Sequence, residues 1–244
     1  MMLLVLTRLT ARVLLGRRRV LAFLVFPALV VGLAVLARAL GGPDEAAAAA
    51  IAGVFGFVSL LPILCVVAGT GVIGPEIEDG SIIYLLAKPI RRSQVVLAKL
   101  LVAIATGIAF GTVSILVAGT IAAGGLDDAT ATYALASVLA ITGYSSLFLL
   151  LAVVTRHAVV IGIAYALVWE AVIASFLPGV RDLSVQQWSR SIAEALLGSR
   201  AEFGDLAGPS IGATAAAGLL AATVVASSWL ATQRLRSLRM TDAG

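Results

Sequence analysis

The sequence predicts an all-α integral membrane protein with six transmembrane helices, an N-terminal interfacial helix, a helical segment on the cytoplasmic side and a short external helix. Three observations lead there. Hydrophobic residues make up 61% of the 244, and the mean hydropathy is +1.08, well above the roughly 45–50% apolar content of soluble domains. Six apolar runs approach or exceed the ~20 residues that a helix needs to cross about 30 Å of hydrocarbon. The basic residues gather in short clusters beside those runs, as a membrane topology requires.

The predicted spans cover residues 20–40, 46–74, 95–123, 133–154, 158–177 and 210–231. The second and third exceed the bilayer, so part of each lies outside it or the helix tilts. Pro27 and Pro62 kink or locally unwind spans one and two, leaving carbonyls for neighbouring helices to satisfy. With the N-terminus in the cytoplasm, Arg8, Arg12, Arg17–Arg19, Lys88, Arg91, Arg92, Lys99, Arg156, Arg234, Arg236 and Arg239 all fall inside. Only Arg38, Arg181, Arg190 and Arg200 fall outside. The positive-inside rule therefore puts both termini in the cytoplasm of a multi-pass protein of the cell membrane. Arginine-rich, lysine-poor usage suggests a bacterial source. Arg17–Arg19, the apolar run and Ala37-Arg38-Ala39 imitate a cleaved signal peptide, but the run is too long and an Arg sits inside the cleavage motif.

Residues 3–19 read as the interfacial helix. Arg8, Arg12 and Arg19 share a face, and Leu6, Leu9, Val13 and Leu14 supply apolar surface. A solvated topogenic signal is the plainer alternative. The external loop, 178–209, contains a capping-box pattern at Ser184 and Gln187. Val185, Trp188, Ile192 and Leu196 follow at helical spacing, and Gly198 offers a stop. This predicts a helix lying on, or dipping into, the outer leaflet with Trp188 as an interfacial anchor. Either it covers the outer end of a pathway or it is a simple surface helix.

Several chemistries are excluded. Neither lysine follows a glycine, so no phosphate-cradling Gly-Lys loop is present. A single Cys65 and a single His157 leave no disulfide framework, zinc set or Ser-His-Asp triad, and no cofactor is expected on this chain. The basic balance is topological and implies no nucleic acid. Glu170 is the one acid inside a predicted span and so a candidate pathway or gate residue. Headgroup contact or a hydrogen bond to a neighbouring Ser or Thr is its alternative. Gly107 and Gly111 form one G-x-x-x-G that permits close helix contact.

The densest charge lies at residues 71–92, GVIGPEIEDGSIIYLLAKPIRR, in a chain with only 12% charged residues. Glu76, Glu78 and Asp79 precede Gly80 and Ser81; Leu85, Leu86, Pro89, Arg91 and Arg92 follow, and Lys99 opens the next span. Gly80 offers a sharp entry to a short helix and Pro89 a stop, with the three acids near its N-terminal end. This stretch, together with the six spans and the long loop between spans five and six, resembles the ABC type-2 permease family, with Ser81 where Thr is usual.

The resemblance implies a single permease domain over 1–244 with no ATPase of its own, pairing with a second permease copy or paralogue. It further implies cytoplasmic nucleotide-binding ATPase subunits as partners, which carry ATP and Mg, and export as the direction of transport. It makes 75–94 the coupling segment, with Glu76, Glu78, Asp79, Gly80, Ser81, Leu85, Leu86, Pro89 and Arg91 meeting the ATPase. A secondary transporter or channel acting alone, or a non-transport assembly factor, are the alternatives. The first would be expected to carry more intramembrane ionisable residues than Glu170.

Overall fold

A computed structural model describes residues 2–82, 91–173, 182–198 and 211–237. Among the described residues every regular element is helical. Helix α1 is Met2–Leu14 and α2 is Arg17–Gly41. Helix α3 spans Glu45–Gly71, α4 Gly74–Glu78, α5 Arg92–Ala123 and α6 Asp128–Val154. Helix α7 covers 158–173, α8 is Val185–Leu197 and α9 is Ala213–Ser237.

Among the described residues, five helices are long and apolar enough to cross a membrane: α2, α3, α5, α6 and α9. The described part of α7 is shorter, and residues 174–177 of the predicted fifth span lie outside the described residues. The N-terminal helix expected over residues 3–19 ends at Leu14. Arg17–Arg19 instead open α2, because the chain turns extended at Gly16. The fourth span starts earlier than predicted, at Asp128, where the Asp127 carboxylate accepts from the Thr130 N–H and caps the helix.

Burial sorts the helices into layers. In the most apolar window of α6, 61% of residues are buried, against 22% in α2 and 17% in α9. Helix α6 is therefore the axis, packed by α3, α8 and α9, while α2 lies on the second half of α5 at the rim. Missing side chains let α5 approach both the axis and α3 this closely. A Cβ at Gly107 would lie 2.5 Å from the Ile141 side chain, and one at Gly111 2.7 Å from Leu61. The G-x-x-x-G pair thus serves packing within the chain.

Three stretches are wound more widely, as π-helix: Ala50–Leu60 in α3, Ile108–Thr112 in α5 and Tyr165–Ile173 in α7. Wide turns of this kind often sit at functional sites. The stretch in α3 runs directly into Pro62, which has no N–H to return to the carbonyl four residues back. That carbonyl, Val58 O, accepts instead from Gln186 Nε2 of α8 at 2.9 Å. The expectation that a neighbouring helix satisfies the proline gap holds at Pro62. Pro27, by contrast, lies inside a continuous α2.

Candidate functional site

Among the polar clusters of the described residues, one lies where α3 meets α5 and another where α7 meets α8. The first is built on the short helix α4. Pro75 sits in its opening turn, where a missing N–H costs nothing, and Glu76 follows in that same turn. Glu76 Oε1 pairs with Lys99 Nζ at 2.7 Å, and the same ammonium donates to Val72 O at 2.6 Å.

Lys99 stands about two turns inside α5 and its side chain is 2% exposed. A buried ammonium is tolerated only with close partners. Here it takes one carboxylate and a carbonyl from the C-terminal end of α3, where unpaired carbonyls and negative dipole charge collect. Helix α1 packs along the first half of α5 and closes the cluster on one side.

Beyond α4 the segment turns outward. Glu78 and Asp79 are exposed, and Gly80 holds φ at +73°, in the left-handed region that glycine adopts without strain. The Ser81 N–H donates to Asp79 Oδ1 at 2.9 Å. Hydrogen bonding from the Ser81 side chain and backbone holds the Asp79 carboxyl below the usual carboxylate range. Gly80 thus supplies the predicted sharp turn. The helix expected between Gly80 and Pro89 falls mainly on 83–90, outside the described residues. Glu76 and Glu78 belong to a separate short helix that ends before Gly80, because Pro75 starts a helix of its own. Arg91 is exposed and extended, at the N-terminal boundary of α5. Leu85, Leu86 and Pro89 lie outside the described residues.

The second cluster surrounds Glu170, which is 2% exposed. Its Oε2 accepts from Ser184 Oγ at 2.5 Å, and its Oε1 accepts from Tyr165 OH at 3.1 Å and from the Val185 N–H at 3.3 Å. The buried Tyr144 hydroxyl faces the same carboxylate without a hydrogen bond of ordinary geometry. An aromatic row backs it: Tyr144 stacks on Phe148, Phe148 meets Tyr165 edge-on, and Tyr165 stacks on Trp169.

The Ser184–Gln187 capping box does not form, since Ser184 makes no side-chain bond to its own helix. Its hydroxyl turns to Glu170, and the Glu170 carboxylate takes over as the cap, bonding the first N–H of α8. Negative charge at a helix N-terminus is favourable. Of the two alternatives for Glu170, hydrogen bonding to a nearby hydroxyl is the one observed. Gly198 ends α8 in left-handed geometry, φ +65°, as the sequence indicates.

Helix α8 does not rest on the surface. Val185, Gln186, Gln187, Trp188, Ser189, Arg190 and Ser191 are all buried, against α6 and α9. Trp188 is 7% exposed and its indole N–H donates to Asp182 O at 2.7 Å. Its ring therefore anchors the loop helix within the protein, in place of the predicted headgroup contact. Ser191 Oγ reaches Ile211 O at 2.6 Å, joining α8 to the approach of α9.

Glu76 and Lys99 meet although 23 residues apart, a pairing that the place of Lys99 at the opening of its span does not by itself indicate. The available signal was its position, two turns inside an apolar run, where an ammonium demands a partner. Tyr144 and Tyr165 carry no comparable signal, since hydroxyls in spans are common, and Ser184 in the external loop offers only its capping-box pattern.

The family model described as ABC-2 family transporter protein matches residues 15–193, which include both clusters. No curated protein matches the chain closely enough to count as a relative.

Proposed function

This chain belongs to the ABC-2 family of transporter proteins, and on that premise we propose that it is the membrane-spanning subunit of an exporter driven by a separate ATPase. In this reading α7 continues past residue 173 as a sixth span, both termini and α4 face the cytoplasm of a bacterial cell, and two permease chains form the pathway. The whole chain is one permease domain. ATP and Mg belong to the partner, and residues 75–94 are where the partner docks.

The observation that supports this most directly is the Glu76–Lys99 ion pair. It ties a short segment bearing exposed Glu78 and Asp79 to α5, a helix 32 residues long that runs through the bundle. A push on the acidic segment is thereby delivered to a transmembrane helix through a short, charge-assisted contact. Exposed charges beside it suit a wet protein interface, where they set partner and register.

The test is pull-down of the ATPase and a transport assay on Glu78→Arg and Leu85→Asp, with a cysteine at Ser93 to report sidedness. Both variants are expected to insert normally but to lose the ATPase or to uncouple hydrolysis from transport. Ser93→Cys in a Cys65→Ser background should resist labelling from outside intact cells. Wild-type binding and transport in both variants, or external labelling at residue 93, would overturn the docking assignment.

A further inference from the structure

Between α1 and the α4–α5 junction lies a cavity of about 350 Å³. Its two walls differ in chemistry. Leu6, Leu9 and Val13 of α1 form an apolar side; Glu76, Asp79 and Lys99 stand on the polar side. The polar side is unbalanced, with two carboxylates and one ammonium. Lys99 is engaged by Val72 O and Glu76 Oε1, whereas Glu76 Oε2 is buried without a hydrogen-bond partner. Asp79, held below the usual carboxylate range by Ser81, stays ionised. What this wall lacks is a cation with N–H groups to donate.

The apolar side says what the rest of the ligand is. An interfacial helix presents its apolar face to acyl chains, and Leu9 and Val13 are each 54% exposed along that face. Arg8 and Arg12 are exposed on α1 but do not line the cavity. A purely anionic headgroup would find only the engaged Lys99 inside. We propose that this cavity binds a membrane phospholipid with a primary ammonium headgroup, its amine at Glu76 and Asp79 and its chain along Leu6, Leu9 and Val13. The site would couple lipid composition to the segment that docks the ATPase, which rests on the functional reading above. Lipid occupancy itself rests only on α1 lying in the membrane interface.

The test uses the full-length protein reconstituted in vesicles of equal phosphatidylethanolamine and phosphatidylglycerol, re-extracted in mild detergent, with retained lipid measured by mass spectrometry. One N–H hydrogen bond from the ammonium to a carboxylate should enrich phosphatidylethanolamine about fivefold over the bulk ratio. Replacing it by phosphatidylcholine, which keeps the charge but has no N–H, should abolish the enrichment in the unaltered protein. Asp79→Lys should return retained lipid to the bulk ratio, and Val13→Trp, placed on an exposed position, should fill the cavity and lower total retention.

Retained lipid that mirrors the bulk in the unaltered protein, or equal retention of phosphatidylcholine, overturns the proposal. So does a cysteine at Leu9 in a Cys65→Ser background that the ATPase shields and phosphatidylethanolamine does not, which would make the partner protein the occupant. Because lipid retention is read without ATPase or transport, a failure of the exporter reading leaves this result standing, and the converse also holds.

Discussion

Where α3 meets α5, Glu76 is matched by a full positive charge at 2.7 Å. Where α7 meets α8, Glu170 is matched by two hydroxyls and the first N–H of a helix, with no ion pair to a described residue. The partners set what each carboxylate can do. A Lys99 ammonium buried in α5 has nowhere else to go, so the first contact behaves as a fixed joint. The second contact is divided among several dipoles, each of modest net strength, and it holds a loop helix that also packs against α6 and α9. On that difference the first contact is a stiff joint and the second a weaker latch.

Removing half of the ion pair gives the largest expected effect. Glu76→Leu leaves the Lys99 ammonium buried with only Val72 O. The loss should be about 3 kcal/mol, the low end for a broken buried pair because Glu76 is partly exposed. A thermal-shift assay on purified protein should show the drop. The double variant Glu76→Leu, Lys99→Met should recover most of it, since an apolar pair of similar volume needs no counter-charge. Additive losses in the double variant would mean that the two side chains are not a joint.

The latch is expected to be weaker and to fail in steps. Glu170→Gln keeps one oxygen for the Tyr165 hydroxyl and the Val185 N–H. It puts an NH2 that donates to the Ser184 hydroxyl in place of the second oxygen, and removes the charge at the α8 N-terminus. About 1 kcal/mol of stability is at stake, in the range for a charge at a helix terminus. Glu170→Leu leaves the Ser184 hydroxyl and the Val185 N–H without their acceptor, at about 2–3 kcal/mol. If α8 gates a pathway, transport or substrate-stimulated ATPase activity changes with Gln while assembly is kept. Unchanged transport with both Gln and Leu would leave Glu170 as a packing residue.

These two clusters also show how far sequence reasoning reaches. Composition and run length gave the apolar helices because membrane insertion is a local, additive property of the chain. Glu170 and the acids at 76–79 were visible because charge is rare in such a chain. Their partners were not, since the partner of a buried charge is chosen by tertiary packing. Lys99 is 23 residues from Glu76, and Ser184 looked like an ordinary helix cap because its local pattern satisfies the capping box. The box lost to Glu170, an acceptor that brings charge, and the wide turns of α7 carry that residue to the α8 N-terminus. Trp188 was misplaced for a related reason: an amphipathic pattern identifies an apolar face, but not whether lipid or protein covers it.

The smallest expected effect concerns the third tether of α8, and it can show whether the proline in α3 was the cause. Gln186 Nε2 reaches Val58 O at 2.9 Å, the carbonyl that Pro62 cannot serve because it has no N–H. Gln186→Leu alone strands that half-buried carbonyl and should cost about 1 kcal/mol. Pro62→Ala restores an N–H at residue 62, which can close the ordinary helical bond to the same oxygen. In that background Val58 O has its own partner, and Gln186→Leu should cost only a few tenths of a kcal/mol, within the scatter of independent sites. The double-mutant cycle, read by thermal shift, should therefore give a coupling near the full value of the single loss. A coupling near zero would mean that the wide turn at Ala50–Leu60, rather than the proline, leaves Val58 O open. The tether of α8 would then be a property of that π segment.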